Sequence, residues 1–536
     1  MNATPSGLLR GHDVFRTVHL GALALCAVML PWSKAGLSIA QLLLVANWLV
    51  EGVVRQDLLV RFRKTFTSAP ALVYLSFFGL HIAGLAWTSD LAWGVDLVRI
   101  LLPVLAFGAV LAGTARLSPS EWRPMLLLGA WSAVVSTFFC LLLRTGDTGD
   151  YRSLSVFTSH IRLALLLCFA VVVLLLDRSA PRWLRWVGYL AAAWSVFFIN
   201  KLGSLQGFAI LAVLGAVFLW RGMRDRSALL RWSVRGALMG LPLLVVFWGT
   251  AEWRSRSQLP DPRIIQRFEK TAGGEIYTHD IHNPQRENGN HVWTYVAWRE
   301  MRAAWPMRSQ LNIDSLDQQG HPVWGTLVRY LASKGERKDS LAIMRLTGPE
   351  VRAIEGGATS VAQGERSAWR ERIDEVFFEL EHYRAFGKAD GHSVAMRLEF
   401  LKAGVAIAKA NWLVGVGTGD TKEAFAQQYE HMRTTLAKEW RHRAHNQYLT
   451  LLISFGVVGL LGSLFAWCWP AWRLGAWRDP YFIAWAIIFG ISCLTDDTME
   501  TQVGATFFAF YYALFVFGVR RELPITPGSP PAPAQG

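Results

Sequence analysis

The sequence predicts an all-α, polytopic membrane protein with about twelve transmembrane helices and a large, mostly helical extracytoplasmic loop between helices 9 and 10. Of the 536 residues, 52% are apolar or aromatic and only 18% are charged, whereas a soluble chain carries about a quarter charged residues. Twelve apolar stretches approach the ~20 residues that a membrane-spanning helix needs. This composition excludes a soluble enzyme, a disordered protein and a small disulfide scaffold.

The apolar stretches divide the chain into four parts. They lie near residues 17–33, 36–54, 70–87, 93–113, 123–143, 160–176, 183–200, 203–220, 234–250, 446–469, 480–495 and 503–519. The predicted domains are helices 1–9 over residues 1–250, a loop or cap domain over 251–445 with a catalytic segment at 393–445, helices 10–12 over 446–520 and a disordered cytoplasmic tail over 521–536.

The basic residues indicate the orientation of the chain in the membrane. Although the net charge is +14, the 251–445 loop is nearly neutral, with 28 Lys/Arg against 25 Asp/Glu, so the excess lies in the short loops. One set of alternate connections holds about twenty Lys/Arg and the other about four, and the basic set is expected on the cytoplasmic side. This predicts that both termini are cytoplasmic and that the large loop is extracytoplasmic, and it gives no indication of nucleic-acid binding.

Ionisable residues near the spans gather on the predicted outer side. Such residues are costly at membrane depth and are therefore functional candidates, although any one of them could be a snorkelling or locally paired end residue. Their shared side favours a polar site at the outer leaflet. The residues are Asp96, Arg99, His160, Arg162, Lys201, Asp496, Asp497 and Glu500.

A helix is predicted at 393–410, where apolar residues at 394, 398, 401 and 405 repeat with a spacing of three or four. Arg397 lies on this apolar face, whereas Glu399 and Lys402 are expected to point away. An arginine on a packed face needs an anion, which could be a core carboxylate or a phosphate held by two parallel hydrogen bonds.

The segment RHRAHNQYL places His445 and Asn446 at the junction of the loop with the tenth span. The imidazole there could accept a proton from a hydroxyl at the membrane surface, or it could be an interfacial histidine without a role. His442 and His445 have a spacing that could bind a metal. We expect no metal, because the neighbouring Arg441 and Arg443 would repel a cation.

The run GVGTGD at 415–420 has the composition of a phosphate-binding glycine loop. It does not follow a strand and open a helix, as such loops do. We therefore expect a tight turn after the preceding helix.

Together these motifs resemble the O-antigen ligase family, which shares its domain with O-antigen polymerases and some protein O-oligosaccharyltransferases. The resemblance lies in an Arg-bearing helix followed by WLVGVGTGD, in HNQYL running into a span with FGVVGLLG, and in the large loop between spans nine and ten. The specific motifs fall within 394–462, and SHIR at 159–162 is a supporting match.

The resemblance implies a metal-independent, inverting glycosyltransferase without a cofactor, located in the cell inner membrane with its large loop in the periplasm. The implied donor is a glycan on undecaprenyl diphosphate, and the acceptor of a ligase is a sugar of lipid A–core; membrane lipids are the other expected partners, and no nucleic acid is expected. Arg397 corresponds to the family's loop arginine and His445 to its loop histidine, the two catalytic candidates. The substrate-binding candidates are His160, Arg162, Lys201, Arg443 and Asn446.

The sequence departs from the family pattern at the start of the eighth span. Leu205 or Gln206 stands where many members carry an arginine, and Lys201 is the cation that could replace it, although lysine cannot form the same fork of hydrogen bonds. This departure leaves open which donor is used and whether the chain belongs to a divergent branch of the family. The HNQYL and GVGTGD motifs occur in both ligases and polymerases, and we interpret the sequence as that of a ligase, with a polymerase as the alternative. A polysaccharide flippase or transporter is the alternative of another class, and it should carry charges through to the midplane of the membrane.

Overall fold

The computed structural model describes residues 14–143, 151–256, 265, 268–283, 285–361 and 368–520, and the predicted tail at 521–536 lies outside these residues. Up to residue 256 the described chain is helical apart from short connections. Each predicted apolar segment coincides with one helix or with a broken pair. The helices are α1 Val14–Met29, α2 Lys34–Val54, α3 Leu58–Phe66, α4 Ala69–Ala83, α5 Leu91–Ile100, α6 Leu102–Gly113, α7 Pro119–Leu143, α8 His160–Leu176, α9 Arg182–Lys201, α10 Leu205–Gly222 and α11 Ala228–Arg256.

The sequence predicts helices in the polar loop near 293–305, 366–385 and 393–410. The loop contains more helices than these three, and a short hairpin. Strands β1 (Arg286–Glu287) and β2 (Asn290–His291) pair in antiparallel fashion through a turn in which Asn288 and Gly289 both have positive φ, as an Asn-Gly hairpin turn requires. The remaining helices are α12 Trp298–Ala304, α13 Val323–Ser333, α14 Ser340–Met344, α15 Gly348–Glu355, α16 Ala368–Phe386, α17 Ser393–Ala410, α18 Thr421–His431, α19 Gln447–Arg473, α20 Pro480–Thr495 and α21 Gln502–Ala513, which continues as a π-helix to Gly518.

The helix lengths agree with a helical membrane protein. Within the described residues, seven helical segments are long and apolar enough to cross a membrane, and four further apolar helices are shorter. The expected all-α fold is confirmed at this level, and the count of twelve spans stays a prediction. The seven segments are Lys34–Val54, Ala69–Trp87, Leu91–Gly113, Pro119–Leu143, Leu205–Gly222, Ala228–Arg254 and Gln447–Arg473; the shorter ones are Val14–Met29, His160–Leu176, Pro480–Thr495 and Gln502–Gly518.

The chain divides into two compact units, and α10 and α17 pass from one to the other. The first unit comprises Met1–Gly215, Phe400–Met432 and His442–Gly536, and the second comprises Ala216–Glu399 and Arg433–Arg441. In the first unit α21 is the central helix, because every residue from Val503 to Val519 is buried. A helix that is apolar on all sides can be buried in this way.

The second unit has a hydrophobic core of its own. Helices α12 to α15 surround the fully buried Trp305, together with Leu327, Leu331, Ile343 and Ile354. α13 contributes Leu327 and Leu331 to this core, four residues apart on an amphipathic helix, as expected for a helix that packs on a core. Residues 292–354 therefore form a small helical domain.

In the first unit, α19 is kinked at Gly456, whose φ of 63° is non-helical. The carbonyl groups that the kink frees are satisfied by the glycine motif, because the N–H groups of Val416 and Gly417 donate to the carbonyls of Ile453 and Ser454 at 2.9 Å. The motif follows α17 as a turn closed by Gly415, which confirms the predicted tight turn. The N–H groups of Val416 and Gly417 thus bond to carbonyl groups of the protein, where a phosphate loop would bond to phosphate.

The glycines of this motif are needed for close packing. A Cβ on Gly419 would lie 2.1 Å from the carbonyl oxygen of Asp90, far inside van der Waals contact. The neighbouring Thr418 donates its hydroxyl to His81 O at 2.7 Å. The motif therefore joins α4, the start of α5 and the N-terminal half of α19.

We expect Gly419→Ala to destabilise the protein by about 1–3 kcal/mol, because the added methyl group meets backbone that cannot move aside. The measurement is thermal unfolding of the detergent-solubilised protein, followed by tryptophan fluorescence. Gly462→Ala in α19 is the matched control, since a Cβ there has no neighbour within 4 Å. An equal shift in Tm for both variants would contradict the packing role.

Candidate functional site

In the first unit, polar residues from three separate segments meet where α8 and α19 begin and α20 ends. His445 and Asn446 precede α19, and Arg162 lies in the first turn of α8. The link from α20 to α21 contributes Asp496 and Glu500. Of the ionisable residues that the sequence analysis singled out near the spans, the structure brings Arg162, Asp496 and Glu500 to this region. We call His445, Asp496 and Arg162 the central cluster.

Arg162 and Asp496 form a buried ion pair. Only 7% of Arg162 and 8% of Asp496 is exposed, and the Arg162 Nη1 contacts Asp496 Oδ2. Arg162 Nε also donates to Thr501 Oγ1 at 3.3 Å. Ser159 caps α8 by accepting from the Arg162 N–H, which fixes the first turn of that helix. Because a buried charge must be paired, each member of the pair keeps the other in place.

His445 lies beside the second oxygen of the same carboxylate. Its Nδ1 is 3.7 Å from Asp496 Oδ1, which accepts the Asp497 N–H at 3.0 Å. At this distance the carboxylate acts on the imidazole through its charge rather than through a short hydrogen bond. His445 also has a φ of 47°, a strained conformation for a residue other than glycine that costs roughly 1–3 kcal/mol.

A second carboxylate–guanidinium pair lies on the same link. Arg443 forms an ion pair with Glu500, and its Cζ lies 5.4 Å from the centre of the Trp93 ring. The ammonium of Lys422 is 5.8 Å from the same ring. Two cationic groups therefore lie near the Trp93 ring, each within the range of a cation–π interaction.

Glu500 is in an environment that favours its neutral form. Burial raises the pKa of the Glu500 carboxyl to about 7, the Arg443 guanidinium opposes this rise, and the nearby Asp497 carboxylate adds to it. Glu500 also lines a cavity of about 20 Å³ together with His81, Gln447 and Thr450. A cavity of that size has room for about one water molecule.

Asn446 holds the start of α19. Its side-chain oxygen accepts the Leu449 N–H at 3.0 Å, and its amide group donates to Leu494 O at 3.0 Å. Thr450 donates to Asp497 Oδ1 at 2.7 Å. These bonds join the start of α19 to the end of α20, so Asn446 fixes the position of the adjacent His445.

The other predicted residues of this unit lie elsewhere on their helices. His160 is half-buried and begins α8. Lys201 ends α9, where it is exposed with its ammonium 5.8 Å from the Phe197 ring. In the described part of the chain Lys201 forms no ion pair, so the structure does not bring it into the central cluster.

The predicted orientation of the helix that carries Arg397 is wrong. In α17, Arg397 is exposed and so are the apolar residues Leu398, Leu401 and Val405, whereas Glu399 is only 8% exposed. The packed face consists of small residues with two larger ones. These residues are Ala395, Phe400, Ala403, Gly404, Ile407 and Ala408.

Two physical reasons explain this orientation of α17. Its small residues allow a close approach to another helix, and the carboxylate of Glu399 has hydrogen-bond partners. In the first unit, a Cβ on Gly404 would lie 2.8 Å from Leu449, so α17 approaches α19 closely. In the second unit, Glu399 accepts hydrogen bonds from the hydroxyl groups of Tyr383 and Thr434. A carboxylate that is held in this way can be buried.

The sequence did not predict which residues pair in the site. Asp496 and Glu500 were recognised as ionisable residues on the outer side, but nothing in the local sequence showed that they pair with Arg162 and Arg443. Lys422 and Trp93 were not predicted. Its position two residues after the glycine motif is a local sequence signal for Lys422.

Comparison with known proteins identifies one domain. The family model described as O-antigen ligase matches residues 352–464, about a fifth of the chain. The matched segment contains Arg397, Lys422, Arg443 and His445, whereas Arg162 lies outside it. No curated protein matches the chain. Residues 352–464 therefore show that this protein carries a domain of the O-antigen ligase family, as its motifs indicated.

Proposed function

We propose that the protein transfers a glycan from undecaprenyl diphosphate to an acceptor sugar, such as one of lipid A–core, at the periplasmic face of the inner membrane. The observation that supports this most directly is the central cluster, in which a buried carboxylate is paired with Arg162 and lies next to the imidazole of His445. His445 lies within the matched ligase domain. The proposed topology has both termini in the cytoplasm and the 251–445 loop outside, as the distribution of basic residues favours.

In the proposed reaction His445 is the general base. The negative charge of Asp496 lies on the Nδ1 side of the ring, which favours a proton on Nδ1 and makes Nε2 the basic nitrogen. The acceptor hydroxyl loses its proton to Nε2 as its oxygen attacks the anomeric carbon. The bond from that carbon to the diphosphate breaks, and the configuration inverts. Arg162 contacts no reacting atom in this scheme and positions Asp496.

The leaving diphosphate needs cations where its charge grows. Arg397 is exposed on α17, and Lys422 and Arg443 lie together at Trp93. We propose that Arg397 grips the diphosphate with its fork of N–H groups, and that Lys422 and Arg443 supply further positive charge. No metal is required, because these side chains can neutralise the departing anion.

A polymerase of the same family is the second candidate, since it would use the same donor and the same base with a growing chain as acceptor. A flippase is disfavoured because the described ionic cluster lies at the ends of α8, α19 and α20, whereas a transporter binds its cargo near the membrane midplane.

Replacing His445 tests the proposed base. We expect His445→Ala to reduce glycan transfer by about 10²- to 10⁴-fold, the usual contribution of a general base, with normal membrane insertion. Lipid A–core without glycan and long chains retained on the carrier would identify a ligase, whereas single repeat units would identify a polymerase.

The matched control for this experiment is His442→Ala. His442 is exposed and lies three residues away, with its ring 5.8 Å from Phe400. It should retain full transfer. Wild-type transfer by the His445 variant, or an equal loss in both variants, would remove His445 from the mechanism.

Arg397 tests the binding of the leaving group. If the guanidinium holds phosphate with two hydrogen bonds, Arg397→Lys should be nearly as damaging as Arg397→Ala, because an ammonium cannot form the fork. We expect a loss of about 10- to 100-fold in kcat/KM for both variants. Lys402→Ala, an exposed cation on the same helix, should have little effect. Full activity of the lysine variant would instead indicate a simple charge effect.

Glu500 makes the proposed donor site sensitive to pH. Since the pKa of its carboxyl is about 7, Glu500 is mostly protonated at pH 6 and mostly ionised at pH 8. Only the ionised form competes with the diphosphate for Arg443. We expect KM for the donor to rise several-fold from pH 6 to pH 8 in the wild type and to stay constant in Glu500→Gln. A similar rise in both proteins would refute this role.

Stability should follow the same titration. The pKa of Glu500 in the folded protein lies above its ordinary value of 4.5. Its contribution to stability is therefore complete below about pH 4.5 and is lost as the pH rises through about 7. Glu500→Gln should reduce the fall in Tm between pH 5 and pH 8, whereas Glu423→Gln, at an exposed carboxylate, should leave it unchanged.

A further inference from the structure

The helical domain of the second unit contains an open groove of about 970 Å³. It lies between the segment 307–311, the segment 316–318 and α15, and most of its residues precede the matched ligase domain. A volume of this order is at the upper end of the range for small-molecule sites. The groove can therefore hold a ligand larger than a single sugar.

The first wall of the groove is fixed by hydrogen bonds. Trp305 Nε1 donates to Leu311 O at 2.8 Å, which closes the 305–311 loop over the domain core. The guanidinium of Arg308 donates to Leu346 O. The loop is thus tied to the segment that precedes α15.

The second wall is tied to α15 itself. The Gln318 N–H donates to the carbonyl of Glu355 at 3.0 Å, and the Ser309 hydroxyl donates to the Glu355 carboxylate. Asp317 is buried and accepts hydrogen bonds from the backbone of His321 and the hydroxyl of Thr326. A site that is built before the ligand arrives loses little entropy on binding.

The lining of the groove contains hydrogen-bond donors and acceptors and both signs of charge. Arg308 Nε is buried without a hydrogen-bond partner among the described residues, and such a donor calls for an acceptor. Arg352 is exposed and forms no ion pair in the described part of the chain. The Glu355 carboxylate, three residues after Arg352, lines the same groove as both of these cations. The exposed apolar side chains Met307 and Leu316 also line it.

We propose that this groove binds an oligosaccharide segment of the transferred glycan. Sugar hydroxyl groups both donate and accept, so they can satisfy guanidinium, amide and carboxylate groups at once. The C–H faces of sugar rings can pack on Met307 and Leu316. The choice of a glycan over other hydroxyl-rich ligands rests on the proposed function. A multiply charged phosphate is disfavoured, because Asp317 and Glu355 would repel it.

The test is amide hydrogen exchange on the full-length protein in detergent micelles. The probes are oligosaccharides released by mild acid from the surface glycan of the source cells and separated into neutral and acidic fractions, with inorganic phosphate as a separate arm. We expect at least one oligosaccharide fraction to slow exchange in peptides covering 305–318 and 346–356.

Arg352→Gln should weaken this binding by about tenfold or more, as the loss of a charge-assisted hydrogen bond does. Gln318→Ala is a second variant at an exposed side chain of the groove. Arg345→Gln is the matched control, since Arg345 is exposed in the same domain, pairs with Glu336 at 3.5 Å and does not line the groove.

The absence of protection with every oligosaccharide fraction would overturn the proposal. So would equal weakening by Arg352→Gln and Arg345→Gln, or equal protection by inorganic phosphate, which would mark a simple anion site. Binding at the groove is measured without glycan transfer. If no oligosaccharide binds the groove, the proposed role of His445 in transfer is unaffected. If His445→Ala keeps full transfer, the binding result at the groove is likewise unaffected.

Discussion

The buried carboxylate of Asp496 is the interaction on which the rest of the site depends. Placing a charge at 8% exposure is costly unless a partner neutralises it, and Arg162 does so through one oxygen while the other faces His445. The three residues come from the start of α8, the segment before α19 and the end of α20. The position of the imidazole therefore depends on the packing of these helices as well as on the neighbouring Asn446.

That packing depends in turn on residues with no side chain. Gly456 lets α19 kink, and the turn after α17 bonds to the carbonyls that the kink exposes. Gly419 allows that turn to touch the backbone at Asp90. Because the same helix α19 begins two residues after His445, the glycine motif belongs to the scaffold of the site, although its composition suggests a phosphate loop.

The sequence predicts some of this structure well and some of it poorly, for physical reasons. Length and hydropathy predict the helices, and the one-sided distribution of charge indicates the region of the site. The face of α17 was predicted wrongly because a stripe such as Leu398, Leu401 and Val405 shows that a surface is apolar, not whether it packs on protein. Lipid is as apolar as a protein core. The burial of Glu399 depends on Tyr383 and Thr434, and no local pattern contains these contacts.

The link between α20 and α21 bears two carboxylate–guanidinium pairs that differ in their freedom. The pair of Arg162 and Asp496 is buried on both sides and holds a fixed geometry. In the other pair, 23% of the Arg443 side chain is exposed, and its partner Glu500 has a pKa near 7. A proton can therefore separate Arg443 from its carboxylate without disturbing Asp496. In the proposed reaction, this arrangement lets one cation vary its hold on the departing diphosphate while the base keeps its position.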